Sequence, residues 1–367
     1  MGTSAAVADR TWCGDTGDSE PTWWRGGRPG GRTWHPCPTE TPTTPTPTPT
    51  EATPTAEPSP TPTTPPTPTP TATTPTPAEP GGGPVVGGSC ALQPSACGFP
   101  DETNTGVEAG RSLRVVPSEV SSGPGWRASE DGSVTVYQNG AVLEDVIVPG
   151  EVSVTADDVT IRNVRVTGTG DWWAIGIRHA ANTTITNTEI LPDGARLEVG
   201  IKDVYGDSTG TTITSTEIAR TATGIQLGHG LIQDNYIHDL AFRAGDHVNG
   251  TTSNGDSRPM TIRHNTIFNQ RSQTDAVSLF QDFGVEANRT IDNNLLAGGG
   301  YTIYGGDGAK GTSHDIVITN NRISRLFYPR GGYYGAVAAF DPSGPGNVWS
   351  GNVWDDDDTD EVGLYGG

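Results

Sequence analysis

The chain has 367 residues, including 50 Gly and 30 Pro, and carries a formal charge of −21 at pH 7. Such an acidic chain has no basic footprint to meet phosphates, which excludes nucleic acid as an expected partner. No stretch is long and apolar enough to cross a membrane as a helix, so a membrane span is not expected either.

Residues 1–37 are rich in Trp, Arg and Gly (Trp12, Trp23, Trp24, Trp34) and show no usable periodicity. A poorly ordered segment is expected there; the competing reading is the remnant of a carbohydrate-binding module, whose exposed Trp rings would stack on sugars. Residues 38–88 form a linker, Thr/Pro-rich to residue 80 and Gly-rich after it. Proline fixes φ and removes donors, so the segment favours extended polyproline II and cannot build a core; it is expected to be disordered. Four cysteines fall in two close pairs, Cys13/Cys37 and Cys90/Cys97. Beside a Thr/Pro linker they suit an oxidising compartment, so the protein is expected to be secreted. The first residues lack a charged region followed by an apolar one, and we expect the true leader to be missing from the sequence as given.

Residues 89–135 lead into a folded domain expected to span 89–367. Cys90 and Cys97 are expected to staple the first loop. The segment G-F-P-D-E-T-N-T-G-V (98–107) precedes a weak strand and an apolar one, S-V-T-V-Y (133–137).

A pattern then recurs at intervals of 18 to 31 residues, anchored on Leu143, Ile161, Ile185, Ile213, Ile232, Ile262, Ile291, Ile318 and Trp349. Five residues after every anchor stands another apolar residue, from Val148 to Trp354. Three residues after it, the last five copies carry Asn: Asn235, Asn265, Asn294, Asn321 and Asn352. Two residues after it, Asn163, Asn187, Asn293 and Asn320 recur. Such self-similarity marks a solenoid, and β-branched, Asn- and Gly-rich copies of irregular length exclude helical repeats. An Asn stacked on its neighbour at about the 4.8 Å strand spacing can donate to one coil and accept from the other. It also tolerates the left-handed backbone of a sharp bend.

Most coils carry a second strand: A-I-G-I-R-H (174–179), V-G-I-K-D-V (199–204), T-G-I-Q-L (223–227), D-A-V-S-L-F (275–280), Y-T-I-Y (301–304) and G-A-V-A-A-F (335–340). Alternation is expected to bury Ile177, Ile201, Ile225 and Ile303. It would align one outward column of Arg178, Lys202, Gln226, the 251–254 region, Ser278 or Phe280, and Tyr304. The C-terminal run Asp355–Asp358 reads as a solvated acidic tail rather than a metal site.

The Asn-ladder repeats over residues 134–354 resemble the right-handed parallel β-helix superfamily of pectate lyases, polygalacturonases and mannuronan epimerases. The lead-in F-P-D-E-T-N-T-G-V is similar to that of secreted bacterial β-helix proteins tethered by Thr/Pro linkers. The resemblance implies an all-β solenoid acting on polysaccharides. It does not choose among lyase, hydrolase and binding protein, because one fold hosts all three. The tripeptide G-H-G (228–230) occurs in polygalacturonases, but their N-T-D and R-I-K motifs are absent, as is the D-P-H of the epimerases.

Arg178 and Lys202 on adjacent coils would repel unless an anion bridged them, and a uronate carboxylate is such an anion. β-Elimination needs a cation to stabilise the enolate and a base to take the C5 proton. Lys202 is the candidate base, with Arg178 beside it; the competing reading pairs both with Glu198 and Asp203 at the surface. The 238–256 insertion adds His247 as acid or base, with Asn249 and Asp246 to orient the sugar. On a regular strand Asp246 and His247 would face opposite ways. Tyr304 would stack on a sugar or donate a proton. The leading expectation is a lyase on an acidic polysaccharide, acting as a monomer. The alternatives are a hydrolase using paired aspartates and a non-catalytic carbohydrate-binding protein. The cofactor stays open, with calcium near Asp203 and Asp207 as the candidate.

Overall fold

The computed structural model describes residues 89–364 apart from residue 195, and two short antiparallel strands, Trp23–Gly26 and Thr33–Pro36. The remaining expectations for residues 1–37, for the 38–88 linker and for Cys13 with Cys37 lie outside the described residues.

β-Branched residues at a fixed phase make each coil extend, bend and extend again. The result is a right-handed parallel β-helix with three faces. All nine anchors, Leu143 to Trp349, stack in one column. The residues five further on, Val148 to Trp354, stack in a second. These columns belong to two faces that meet at the bend. The third face is an 11-stranded sheet. Its parallel part runs through Val134–Val136, Val152–Val154, Gly170–Ile177, Leu197–Asp203, Thr221–Gln226, Asn249–Ser253, Asp275–Leu279, Tyr301–Gly305 and Gly335–Ala338. Among the described residues no helix is long and apolar enough to cross a membrane.

The bend separates two roles that the sequence suggests for a single Asn column. Left-handed backbone sits two residues after the anchor, at Asp145, Asn163, Asn187, Ser215, Asp234, His264, Asn293, Asn320 and Gly351, with φ between 46° and 64°. The hydrogen-bonded ladder sits one residue later and is buried. Asn294 Nδ2 donates to Asn321 Oδ1 and to Ile262 O, both at 2.9 Å. Its Oδ1 accepts from the Asn265 backbone N–H at 3.0 Å and from Asn265 Nδ2 at 2.9 Å. The same pattern links Asn235 to Asn265 and Asn321 to Asn352. In earlier coils Val146, Val164, Thr188 and Thr216 fill the position, so the ladder starts at Asn235.

The lead-in closes over the outside of the rod. Cys90 and Cys97 form the expected disulfide. Cys90, Ala91 and Phe99 pack on Phe268, Leu295 and Ala297. The expected solvated tail is corrected here. Asp355 is 1% exposed and accepts from Cys90 N at 3.1 Å, Ala91 N at 3.0 Å and Arg322 Nε at 3.1 Å, with Ser89 Oγ also donating to it. Asp357–Glu361 adds an antiparallel strand against Val353–Trp354. The first carboxylate of the run is thus spent on orphaned backbone donors of the lead-in.

Truncating Asn294 to Ala should take from the Asn265 backbone N–H its acceptor and from the Ile262 carbonyl its side-chain donor. Urea unfolding is expected to show a loss of about 1–3 kcal/mol. Unchanged stability would mean that the ladder contributes packing alone.

Candidate functional site

The parallel register of the third face fixes which side chains share a row. Lys202 pairs with Gly176 on one side and Gln226 on the other, and the row continues through Thr252, Ser278, Tyr304 and Ala338. Gln226, Ser278 and Tyr304 therefore stand in the expected column, whereas Arg178 lies two residues past it. Ile177 likewise aligns with Asp203 and not with Ile201, although Ile177, Ile201, Ile225 and Ile303 are all buried. A register shift between Gly170 and Trp173 in the Gly170–Ile177 strand accompanies the offset, which sequence spacing did not show.

Arg178 is engaged elsewhere. Its Nη1 lies 2.7 Å from Glu151 Oε1, and Ser153 Oγ accepts from it at 2.8 Å. Trp173 Nε1 donates to the same Glu151 oxygen at 2.7 Å. The Trp173 indole lies over Gly176, where an added Cβ would strike the ring and Arg178. Both the Arg178 guanidinium and the Lys202 ammonium lie 5.3 Å from the ring centroid. The expected like-charge pair is thus replaced by two cations sharing one aromatic ring, a contact of the cation–π type.

Lys202 makes no ion pair or hydrogen bond among the described residues. It is half-buried, and burial pushes its ammonium below the ordinary lysine range, an effect that the charge of Glu198 partly opposes. It lines a groove of about 510 Å³ together with Gln226, Asp246, His247, Asn249 and Thr252. A second hollow of about 500 Å³ shares Lys202, Gln226, Thr252 and Asn254 with it, so the groove continues across the face.

The overhanging loop before Asn249 brings Asp246 and His247 to the same groove. The strand begins at Asn249, so strand alternation does not apply to them, contrary to the expectation. Asp246 accepts from Arg243 N at 2.7 Å and from Arg196 Nη2 at 2.9 Å, which pins the loop. Arg196 also holds Glu198 at 2.9 Å. Two of the groove's carboxylates thereby share one buried guanidinium. Asp282 is the third carboxylate in the lining. The His247 ring is exposed and, among the described residues, has no partner. Tyr304 is not part of the lining but contacts Phe280, which is, with ring centroids 5.1 Å apart. Burial pushes the Tyr304 hydroxyl up, so it stands protonated at neutral pH.

Beneath the groove lies a residue that the sequence offers only as one of six aspartates for the paired carboxylates of a hydrolase: Asp203, Asp207, Asp246, Asp275, Asp282 and Asp307. Asp275 is fully buried, with no hydrogen-bond donor to either carboxylate oxygen. Asn249 is its in-register neighbour. Asn249 Nδ2 turns to Thr223 Oγ1 at 3.2 Å and to His247 O at 3.3 Å, which leaves its own Oδ1 without a donor. Burial pushes the Asp275 carboxyl well above the ordinary range, and the nearby Ser278 hydroxyl opposes this without cancelling it. A protonated Asp275 gives this acceptor-rich pair its missing donor. The available signal was the equivalence of Asn249 and Asp275 in successive coils, which shows once the 249–253 strand is aligned with 275–279.

Other acidic candidates serve the scaffold. Asp203 Oδ1 accepts from Gly206 N at 3.2 Å, while Asp207 pairs with His179 at 2.6 Å, so the two do not converge as a calcium site. Among the described residues no three His, Cys, Asp or Glu side chains gather where one ion could sit. His229 of the G-H-G tripeptide is buried, its Nδ1 3.4 Å from Asp256. Burial raises the Asp256 carboxyl, but bonds from His229 and Arg258 outweigh this and hold it well below the ordinary range. Comparison with family models, curated proteins and solved structures finds no match. The fold therefore defines the class: an all-β parallel β-helix with a polar groove on its third face.

Asp275 sets a pH dependence of known sign. The native state holds a proton that the unfolded chain releases near the ordinary Asp value of about 3.9. Stability should then fall as pH rises from that value toward the raised native one, because the unfolded state binds fewer protons. Asp275→Asn should flatten the dependence in urea titrations at a series of pH values. An identical slope in the variant would show Asp275 ionised in the native state.

Proposed function

We propose that the groove binds and cleaves an extended acidic polysaccharide by β-elimination at a uronate, and that the protein acts outside the cell. Lys202 carries this reading: a half-buried cation facing a groove, with no carboxylate partner and a lowered proton affinity. Facing the groove without a carboxylate partner suits it to approach a uronate, and its lowered proton affinity suits its neutral form to take the C5 proton; the ammonium so formed then stands beside the enolate that results. Arg196 supports the assignment from outside the groove, since its guanidinium pairs with Glu198 and Asp246 and leaves Lys202 without either as an ion-pair partner. Gln226, Thr252 and Asn254 line the same surface and offer hydrogen bonds to sugar hydroxyls. His247 stands at the loop edge, placed to exchange a proton with the leaving oxygen.

A hydrolase on the same scaffold has one specific observation behind it. Burial pushes the Asp275 carboxyl well above the ordinary range, the direction that a general acid requires. Asp275 lies under the groove floor, so this chemistry would require the floor to open.

Polyuronates of several kinds, assayed with and without calcium, should yield the ultraviolet absorbance of an unsaturated product. Lys202→Ala is expected to lower turnover by about 10²–10⁴-fold, the usual contribution of a positioned base. Activity should rise with pH as Lys202 loses its proton, over a range below that of an ordinary lysine. Reducing ends without new absorbance would select the hydrolase, and absence of any cleavage would leave binding alone.

A further inference from the structure

Beyond the groove toward the C-terminal end, the third face changes character from polar to aromatic. Phe280, at the groove's edge, contacts Tyr304 with centroids 5.1 Å apart. Tyr304 contacts Tyr301 at 5.5 Å, Tyr301 contacts Tyr334 at 5.8 Å, and Tyr334 contacts Tyr333 at 4.9 Å. The five rings form one unbroken chain. Two are plainly open to solvent, Tyr333 at 55% and Tyr334 at 59% exposed. The middle of the chain borders a hollow of about 490 Å³, where Tyr301 and Tyr334 meet Arg330, Asp360 and Glu361.

Packing does not account for this row. Tyr333 and Tyr334 stay more than half exposed, where burying their rings would have been favourable. Large exposed aromatic surface in continuity with a polar groove marks a binding surface. Lys202 and Tyr304 occupy one outward row, separated by four coil steps. At about 4.8 Å per step the row runs roughly 19 Å parallel to the rod axis. A ligand that lies in the groove and reaches these rings must therefore be extended and run along the axis. It must also offer flat apolar faces edged by hydroxyls, because the hollow pairs aromatic faces with a guanidinium and carboxylates. Pyranose rings have both properties: C–H groups cover one face, and hydroxyls point outward around the ring.

We infer that Tyr301, Tyr304, Tyr333 and Tyr334 form a second binding region for the same polysaccharide, which holds sugar units distal to the cleavage point by ring stacking. The inference rests on the proposed groove function and adds to it the direction of the chain and the site of its distal units. The polar groove confers the chemistry, and the aromatic row confers length dependence. Short oligosaccharides fill the groove alone, whereas longer ones gain the stacked units.

The test uses the full chain with Lys202 intact, at a pH low enough to keep that lysine protonated, so that ligand is not consumed. Calorimetry would follow binding of oligouronides of increasing length, with and without Tyr333→Ala and Tyr334→Ala. Long oligouronides should bind at least about tenfold more weakly to the double variant, while the shortest binders should be unaffected. Tyr333→Phe with Tyr334→Phe should keep the affinity, because the ring faces remain. Equal affinity of the Ala variant for every length would overturn the second region while leaving the groove reading intact, and so would equal losses in the Phe and Ala variants. If the parent bound no oligouronide of any length, the groove reading would fail first.

Discussion

The structure depends on one constraint: equivalent residues of successive coils must sit one above the other at the strand spacing. Everything that distinguishes this molecule follows from keeping that register while the chain turns. Isoleucine columns keep it in the core, where any slip would move a side chain out of its stack. At the bend, a left-handed residue turns the backbone and the following Asn locks coil to coil through its own amide. Each Asn satisfies a backbone carbonyl of the preceding coil as well.

The same register builds the functional face. Outward rows become continuous lines of side chains along the rod, which turns single residues into an elongated surface. On that surface charge is distributed with economy: Arg196 holds two carboxylates, Glu151 holds Arg178, and Lys202 is left unpaired among the described residues. Arg178 and Lys202 each lie 5.3 Å from the Trp173 ring centroid, which offers both cations a favourable contact. The buried Asp275 under Asn249 shows the reverse situation, a polar pair whose satisfaction depends on a proton.

The solenoid, its core columns and the coil where the ladder strengthens were legible because they repeat. Periodic burial leaves a periodic trace, and nine copies average out the exceptions. Lys202, Gln226, Asp246, His247 and Asn249 were also legible as one groove, because the second strands repeat and the insertion interrupts them. Arg178 was misplaced because the local letters A-I-G-I-R fit either phase: Ile175 and Ile177 are both buried, but it is Ile175 that pairs with Ile201. The Asp355 run misled for a different reason. Its neighbours in sequence are charged and exposed, but its partners are backbone donors more than 260 residues away.

The sequence by itself determined the fold class and the long axis of the surface, because both are set by repeated short-range patterns. Only the tertiary structure decided which charges are free. Whether a lysine is neutralised, an aspartate protonated or a tyrosine exposed depends on what the neighbouring coils and loops bring within a few ångströms. Residues 196, 246 and 275, each from a different segment, settle that balance around the groove, and no local pattern connects them.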